Sequence, residues 1–176
     1  MAFGDLVARI DALGPALLET TAFRHVSVGG DPRTGVGARI HGGRWNPPDS
    51  FSTLYLGLSE ETVRAEWERA AKRQGLRLED FLPREFYSFN VVLHAVVDLR
   101  SSEARHQVGL TDADITADDQ RACQRVGEAA HFASFEGVVA PSATGSGEIV
   151  AVFLDQLKPD SRLEPTHLAT WAAPPA

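Results

Sequence analysis

The class of fold is decided by the stretch Phe86-Tyr87-Ser88-Phe89-Asn90-Val91-Val92-Leu93-His94-Ala95-Val96-Val97-Asp98-Leu99. Aromatic and β-branched side chains dominate this stretch, and these residue types favour strands. The stretch therefore predicts one long strand over residues 86–99, well beyond the usual strand length of about five or six residues. A sheet is expected at the core of the fold.

Shorter strand and helix patterns lie on both sides of this stretch. Apolar β-branched runs predict strands, whereas apolar residues spaced three or four apart predict helices. Ser59, and further on Ser101 or Ser102, are of the type that caps a helix N-terminus. The remaining strands are expected at 21–28, 53–58, 135–140 and 149–154, and the main helices at 3–13, 60–74 and 116–133.

Strands and helices alternate irregularly along the chain, which predicts the α+β class. We expect a compact, mixed, mostly antiparallel sheet core with flanking helices. Residues 1–158 are expected to form a single domain, and residues 159–176, which are rich in Pro and Ala, a C-terminal tail. The length of 176 residues agrees with one domain, because domains usually contain about 100–200 residues.

Composition limits the kinds of partner. The chain has 17 Lys and Arg against 24 Asp and Glu, a formal net charge of −7. A large nucleic-acid interface needs a cationic surface, so direct nucleic-acid binding is not expected. No apolar run approaches the about 20 residues that cross a bilayer. The N-terminus also lacks the basic-then-apolar order of a signal peptide. The expected location is the cytoplasm, without membrane association.

Cysteine and histidine usage argues against a metal site. Cys123 is the only cysteine, so an intrachain disulfide and a cysteine-cluster zinc site are both excluded. A lone thiol fits a reducing compartment. The histidines include no pair at the i, i+4 spacing of a zinc protease helix. No metal is expected.

A loop over residues 29–50 contains the first candidate for chemistry, Gly-Val-Gly-Ala-Arg-Ile-His-Gly-Gly-Arg-Trp-Asn at 35–46. Glycines let the backbone approach a ligand closely. The guanidinium groups of Arg39 and Arg44 suit phosphate or carboxylate. The string matches neither known phosphate-binding fingerprint, so a flexible surface loop with solvated arginines is an equally good interpretation of the residues alone.

Two further candidates are Glu66 and Ser142. On a helical wheel Glu66 lies beside the apolar sector around Val63, and a carboxylate there needs a partner or a ligand. From the wheel alone, an edge glutamate that reaches water is the better interpretation. Ser142 lies in the small-residue loop 141–147, which could offer hydroxyl and N–H groups to an oxygen-rich ligand. A tight connection between two strands explains that loop equally well.

Taken in order along the chain, these segments resemble the RES-domain toxins, which are named for an Arg, a Glu and a Ser. The matching segments are Arg24, the Gly/Arg string ending in Gly42-Gly43-Arg44-Trp45-Asn46-Pro47-Pro48, Ala65-Glu66 and Val138–Ala143. The likeness is closest to the NAD+ phosphorylase subgroup and spans about residues 10–157. Residues 1–158 would thus be a RES-type catalytic domain. The string at 42–48 is its most specific element.

The resemblance implies a fold related to the ADP-ribosyltransferases and the diphtheria toxin catalytic domain. It implies NAD+ as substrate, cleavage of the nicotinamide–ribose bond, inorganic phosphate as co-substrate and no prosthetic group. The implied catalytic residues are Arg24, Arg44, Tyr55 and Glu66, with Glu66 as the catalytic carboxylate. The implied substrate-binding residues are His25, Gly43, Arg44, Trp45, Asn46 and Ser142.

The acceptor of the ADP-ribosyl group stays open at this point. Phosphate gives phosphorolysis, water gives NAD+ glycohydrolysis, and a protein side chain gives ADP-ribosylation. A non-catalytic NAD-binding module is the alternative outside enzymes. This alternative rests on two departures from the pattern of the subgroup. His25 lies where the subgroup often has a tyrosine, and Glu148 lies where many members have an asparagine.

The family resemblance also implies a partner. A toxin that consumes NAD+ is paired with a cognate antitoxin protein, so the chain is expected in a toxin–antitoxin hetero-oligomer or in a homo-oligomer. The expected inhibition is competitive, with the antitoxin occupying the cavity that NAD+ would use.

Overall fold

A computed structural model of the chain describes residues 1–174. It contains helices and strands that alternate irregularly, as the sequence predicts. The helices are α1 (Phe3–Leu13), α2 (Val36–His41), α3 (Glu60–Arg73), α4 (Ser102–Gln107), α5 (Asp112–Thr116) and α6 (Arg121–Phe132). The strands are β1 (Ala16–Ser27), β2 (Thr53–Gly57), β3 (Arg84–Asp98), β4 (Gly137–Pro141), β5 (Glu148–Phe153) and β6 (Arg162–Trp171).

Five strands close into a barrel. Their order is β1, β2, β5, β4 and β3, and a pairing between β1 and β3 closes the ring. The β3–β4 pair is parallel, whereas the other pairs are antiparallel. The expected α+β class, with a mostly antiparallel sheet and flanking helices, is confirmed.

The predicted long strand is the centre of this sheet. β3 pairs with β1 along most of its length, with β6 over Arg84–Val92, and with β4 at Val96–Asp98. Apolar side chains of β3 and its neighbours fill the barrel, and a second apolar cluster lies between the barrel, α1 and α6. This packing gives β1 and β2 a rigid base from which their ends can present side chains.

Helix α3 lies across the ends of β1 and β2 and begins at a well-formed cap. The Ser59 hydroxyl accepts a hydrogen bond from the backbone N–H of Thr62 at 3.1 Å, which satisfies one of the free donors of the first turn. Val63, Trp67 and Ala71 are buried against the barrel. This anchoring fixes which face of α3 borders the site.

The segment 159–176, predicted as a tail, contains a strand of the sheet. β6 pairs with β3 from Arg162 to Trp171, so the prediction of a separate tail is corrected for residues 162–171. Its side chains alternate between exposed and half-buried positions except at residues 166–168, which are all exposed next to a register shift against β3. This pattern is expected of an edge strand with only one protected face. Residues 175 and 176 of the predicted tail lie outside the described part of the chain.

Two further elements differ from expectation. The helix predicted at 116–133 begins only at Arg121, as α6, because the extended backbone of Ala117 ends the short helix α5 after Thr116. The loop 29–50 contains the short helix α2. Within residues 1–174 no helix has the length and apolar character required to cross a membrane.

Candidate active site

A cavity of about 470 Å³ opens where β1, β2, α3 and the Gly42–Trp45 segment meet. This volume lies in the range of about 300–1,000 Å³ that is typical of small-molecule sites. Several predicted site residues line it, and these are Arg24, His25, Gly43, Arg44, Trp45, Tyr55 and Glu66. Segments that are far apart in sequence therefore meet at one site.

The Glu66 carboxylate is held on one side of the cavity by the loop that follows β4. Its Oε1 atom accepts a 2.6 Å hydrogen bond from the Ser142 hydroxyl and a 3.1 Å hydrogen bond from the backbone N–H of Ala143. Its Oε2 atom has no hydrogen-bond partner among residues 1–174. One oxygen therefore fixes the carboxylate, and the other can face a ligand.

Ser142 contacts Glu66 rather than the cavity. Its side chain is fully buried, and its hydroxyl also lies 2.7 Å from the Thr144 hydroxyl. The loop folds back on α3 at Gly147, whose φ of +77° suits glycine and where a Cβ would overlap the Thr62 hydroxyl. The structure thus places the predicted substrate-binding serine as a positioning residue for Glu66.

Tyr55 joins the glycine-rich segment to the barrel. Its hydroxyl donates to Asn46 Oδ1 at 2.8 Å and accepts from the backbone N–H of Trp45 at 2.8 Å. Burial is the largest of the effects that raise the pKa of the Tyr55 phenol above its ordinary value. A Cβ at Gly43 would lie 2.5 Å from the Tyr55 hydroxyl, so this close approach requires glycine.

Asn46 and Trp45 are predicted to contact substrate, but their side chains make their contacts within the protein. Both residues are fully buried. The Asn46 amide donates to the carbonyl of Ala38 at 2.7 Å and receives the Tyr55 hydroxyl. Asn46 is therefore corrected to a structural residue that orders the segment, and the Trp45 side chain belongs to the apolar cluster under the barrel.

Arg24 lies on β1 with part of its guanidinium free. Its Nη1 atom donates to the carbonyls of Pro32 and Thr34 at 3.0 and 2.9 Å, whereas its other nitrogens have no partner among residues 1–174. Burial, followed by the positive charge of Arg84, lowers the pKa of Arg24 to about 10. The group stays cationic at neutral pH and can bind an anion in the cavity.

Arg44 uses more of its guanidinium group in hydrogen bonds within the protein than Arg24 does. Its two terminal nitrogens donate to the carbonyls of Asp114 and Ala117 at 3.1 and 2.8 Å, and the residue is only 8% exposed. These bonds fasten α5 and the residue that follows it to the cavity wall. The structure thus gives Arg44 an anchoring role in addition to its place at the cavity.

His25 is a neutral ring in an aromatic wall. Its Nδ1 atom accepts a 3.0 Å hydrogen bond from Arg84 Nε, and its ring centroid lies 4.6 Å from that of Trp67. Burial, together with the charges of Arg84 and Arg24, lowers the pKa of His25 to about 3. Because Nδ1 is the acceptor, the proton of the neutral ring resides on Nε2.

Glu148, the second departure from the subgroup pattern, points away from the cavity. Its carboxylate lies 3.6 Å from Arg100 Nη1, and neither residue lines the cavity, whereas the next residue, Ile149, does. Side chains alternate between the two faces of a strand, which explains the difference. The Glu148 charge is therefore balanced outside the site.

Sequence reasoning missed several residues of the site. Trp171 of β6 stacks on Phe86 with ring centroids 4.4 Å apart and completes the wall behind His25. Arg69 and Arg73 line the cavity beside Glu66. Their spacings of three and seven residues from Glu66 place them on its helix face, and this signal was available from the sequence. Among residues 1–174, no group of three His, Cys, Asp or Glu side chains could hold a metal ion.

Comparison with known proteins identifies relatives along nearly the whole chain. Residues 18–175 match the RES domain family. Proteins named NAD(+) phosphorylase MbcT from Mycobacterium bovis and Mycobacterium tuberculosis are 39% identical over 156 residues, which are 88% of this chain and 84% of each relative. The crystal structure of the M. tuberculosis MbcT–MbcA toxin–antitoxin complex is similar with a TM-score of 0.81 and 37% identity, over 95% of this chain and 94% of that chain.

Proposed function

Because the chain belongs to the RES domain family, we propose that it cleaves NAD+ and transfers the ADP-ribosyl group to inorganic phosphate. The observation that carries this proposal is the Glu66 carboxylate in a cavity that Arg24 also lines: Ser142 fixes its Oε1, and its Oε2 has no partner among residues 1–174. We also propose that the fold is related to those of the ADP-ribosyltransferases and the diphtheria toxin catalytic domain, as the family resemblance implies.

The reaction requires stabilisation of positive charge at the ribose. The bond between the ribose C1 atom and the nicotinamide nitrogen breaks, and its electron pair leaves with neutral nicotinamide. The remaining sugar has oxocarbenium character, as in glycoside hydrolysis. A preorganised carboxylate such as Glu66 stabilises this developing charge, and such electrostatic effects are often the largest contribution to catalysis.

The second half of the reaction forms a new bond to the same carbon. A phosphate oxygen donates a lone pair to C1, and the products are nicotinamide and ADP-ribose phosphorylated at that carbon. Arg24 and the backbone around Gly43 would hold the dinucleotide so that C1 faces Glu66. Positioning of this kind converts binding energy into rate. The aromatic wall of half-buried His25 and buried Trp67 would exclude water from one side of the sugar.

We also propose that the chain is the toxin of a toxin–antitoxin pair. A relative of the same overall structure is described in complex with its antitoxin. An enzyme that degrades NAD+ must be silenced in the cell that makes it, and the antitoxin is proposed to occupy the cavity. If both ligands compete for one cavity, NAD+ must weaken antitoxin binding by the same factor as antitoxin weakens NAD+ binding. Antitoxin affinity that is independent of saturating NAD+ would exclude this mode of inhibition.

Purified protein incubated with NAD+, with and without inorganic phosphate, tests the proposed reaction. Phosphorolysis predicts nicotinamide release that depends on phosphate. Release without phosphate would identify a glycohydrolase, and labelling of a protein by the ADP-ribosyl group would identify an ADP-ribosyltransferase. Saturable NAD+ binding without release would identify a binding module, and each of these three results would contradict the proposal.

A further inference from the structure

Two arginines of α3 share one carboxylate oxygen at the cavity. Asp118 Oδ1 lies 3.0 Å from Arg69 Nη2 and 3.8 Å from Arg73 Nε. Both arginines line the cavity, whereas Asp118 does not. An anionic oxygen therefore already lies between two guanidinium groups that border the candidate active site.

The helix places these arginines in register with Glu66. Positions 66, 69 and 73 lie on one face of α3, because spacings of three and seven residues bring side chains to the same side of a helix. At 1.5 Å per residue, Arg69 lies about 4.5 Å along the helix axis from Glu66. An anion held by Arg69 would thus lie within one helical turn of the carboxylate.

The two arginines differ in how firmly the protein holds them. Arg69 Nη2 also donates to the carbonyl of Thr116 at 2.9 Å, which fastens it to the C-terminal end of α5. Among residues 1–174, Arg73 has only the 3.8 Å approach to Asp118. The Asp118 side chain is 78% exposed, and exposed ion pairs contribute little to stability. Another anion can therefore replace the Asp118 carboxylate at small cost.

We propose that Arg69 and Arg73 form a binding site for a phosphate oxyanion and that the Asp118 carboxylate competes for it. This inference rests on the proposed function and adds a location for one of its phosphate groups. The oxyanion has two possible sources, namely the inorganic phosphate co-substrate and the diphosphate of NAD+. Guanidinium groups suit either source, because they bind phosphate through paired, charge-assisted hydrogen bonds.

Direct binding tests the site without requiring turnover. Titration calorimetry measures the Kd of inorganic phosphate and, separately, of NAD+ for the wild type, Asp118→Asn and Arg73→Gln. We expect Asp118→Asn to tighten oxyanion binding about threefold or more by removing the competing charge, and Arg73→Gln to weaken it about tenfold by removing a charged donor. Arg121→Gln is the matched control, because Arg121 pairs with Asp119 on the surface and does not line the cavity.

These titrations distinguish the two sources of the oxyanion. They also distinguish failure of the oxyanion site from failure of the proposed reaction. A Kd of phosphate that falls in Asp118→Asn and rises in Arg73→Gln identifies the inorganic phosphate co-substrate as the ligand. The same two changes in the Kd of NAD+ alone identify the diphosphate of NAD+. Unchanged affinity for both ligands in both variants would overturn the oxyanion site. Failure of the proposed reaction would instead show as wild-type nicotinamide release that does not depend on phosphate, whatever the binding titrations give.

Discussion

The Ser142 hydroxyl donates a 2.6 Å hydrogen bond to Oε1 of Glu66 across 76 positions of the chain. The contact joins the loop after β4 to the middle of α3, two segments that no local pattern connects. It leaves the second carboxylate oxygen without a partner among residues 1–174. In this arrangement Ser142 sets the direction of Glu66, and its fully buried side chain does not line the cavity.

Loss of this hydrogen bond should lower turnover rather than NAD+ affinity. In Ser142→Ala the Glu66 carboxylate keeps only the N–H of Ala143 and gains rotational freedom. A hydrogen bond to a charged group contributes about 1.5–3 kcal/mol. We therefore expect kcat to fall about 10- to 100-fold with KM for NAD+ within about twofold. Steady-state nicotinamide release measures both constants, and a raised KM at unchanged kcat would assign Ser142 to substrate binding instead.

Arginine-to-lysine substitutions should separate the roles of Arg24 and Arg44. The two hydrogen bonds of Arg24 start from one nitrogen, which a lysine ammonium can replace, whereas those of Arg44 start from two nitrogens. Arg44→Lys should therefore lose at least one of these part-buried hydrogen bonds and lower the free energy of unfolding by about 1–3 kcal/mol. Arg24→Lys should weaken NAD+ binding with a smaller loss of stability, because the free part of its planar fork is lost.

Denaturant unfolding and NAD+ calorimetry on both variants provide the measurement. Equal losses of stability would mean that the different hydrogen bonding of the two arginines has no energetic consequence. Unchanged NAD+ binding in Arg24→Lys would remove Arg24 from the binding machinery.

Most strands of the sheet were predictable because they carry strong local signals, whereas closure into a barrel was not predicted. β3 is recognisable from its valines and aromatic residues, and β4 and β5 are nearly continuous apolar runs, since they are buried on both faces. β6 has no such run. It is an edge strand with exposed polar positions and Pro165, so its pairing depends on β3 rather than on its own composition. A composition rich in Pro and Ala therefore indicated a tail where a strand forms.

The site was predictable only in part, for a different reason. A helical wheel places Glu66 at the edge of an apolar face but contains no information about Ser142, which approaches from another segment. The family resemblance named both residues but assigned Ser142 to substrate binding, so their hydrogen bond was not predicted. The partners of Arg44 are backbone carbonyls, which every residue possesses, so no sequence pattern could reveal its anchoring role. Asn46 was misplaced for the same reason, because its partners include the Ala38 carbonyl.

His25 should make the folded protein less stable in mild acid. Its pKa is lowered to about 3 in the folded state, mainly by burial, against about 6.5 in an unfolded chain. Between these values the unfolded state binds the proton, so stability decreases as pH falls from about 6.5 to about 3, by at most about 1.4 kcal/mol per pH unit. Above pH 6.5 both states are neutral at this ring, and no effect is expected.

The His25→Gln variant isolates this contribution. Chemical denaturation of wild type and variant between pH 7 and pH 4, where carboxylates contribute equally to both, should give a steeper loss of stability for the wild type. If the free energy of unfolding fell equally with pH in both proteins, His25 would take up its proton in the folded state. That result would conflict with its hydrogen bond from Arg84.

We expect β6 to be required for folding, because Trp171 at its C-terminal end packs against other aromatic side chains. Trp171 packs on Phe86 and lies nearly parallel to Trp67, with ring centroids 5.8 Å apart. Because the side chain is only partly buried, Trp171→Ala should cost less than the about 3–5 kcal/mol of a fully buried tryptophan, and we expect about 1–3 kcal/mol.

Leu168→Ala is the control on the same strand, because Leu168 is 47% exposed, and it should leave the midpoint of unfolding nearly unchanged. Deletion of residues 160–176 should prevent stable folding. A truncated chain with the wild-type unfolding midpoint would contradict the assignment of β6 to the structural sheet.

The most direct measurement follows the oxygen atoms of the acceptor in wild type and Glu66→Gln. Both proteins are given NAD+ and ¹⁸O-labelled inorganic phosphate, and the products are identified by mass spectrometry. The wild type should form labelled phosphorylated ADP-ribose in equal amount with nicotinamide. Glu66→Gln keeps an oxygen acceptor for Ser142, so it should unfold like the wild type yet form product at least about 100-fold more slowly. Unlabelled ADP-ribose from the wild type, or full turnover by Glu66→Gln, would contradict phosphorolysis at this carboxylate.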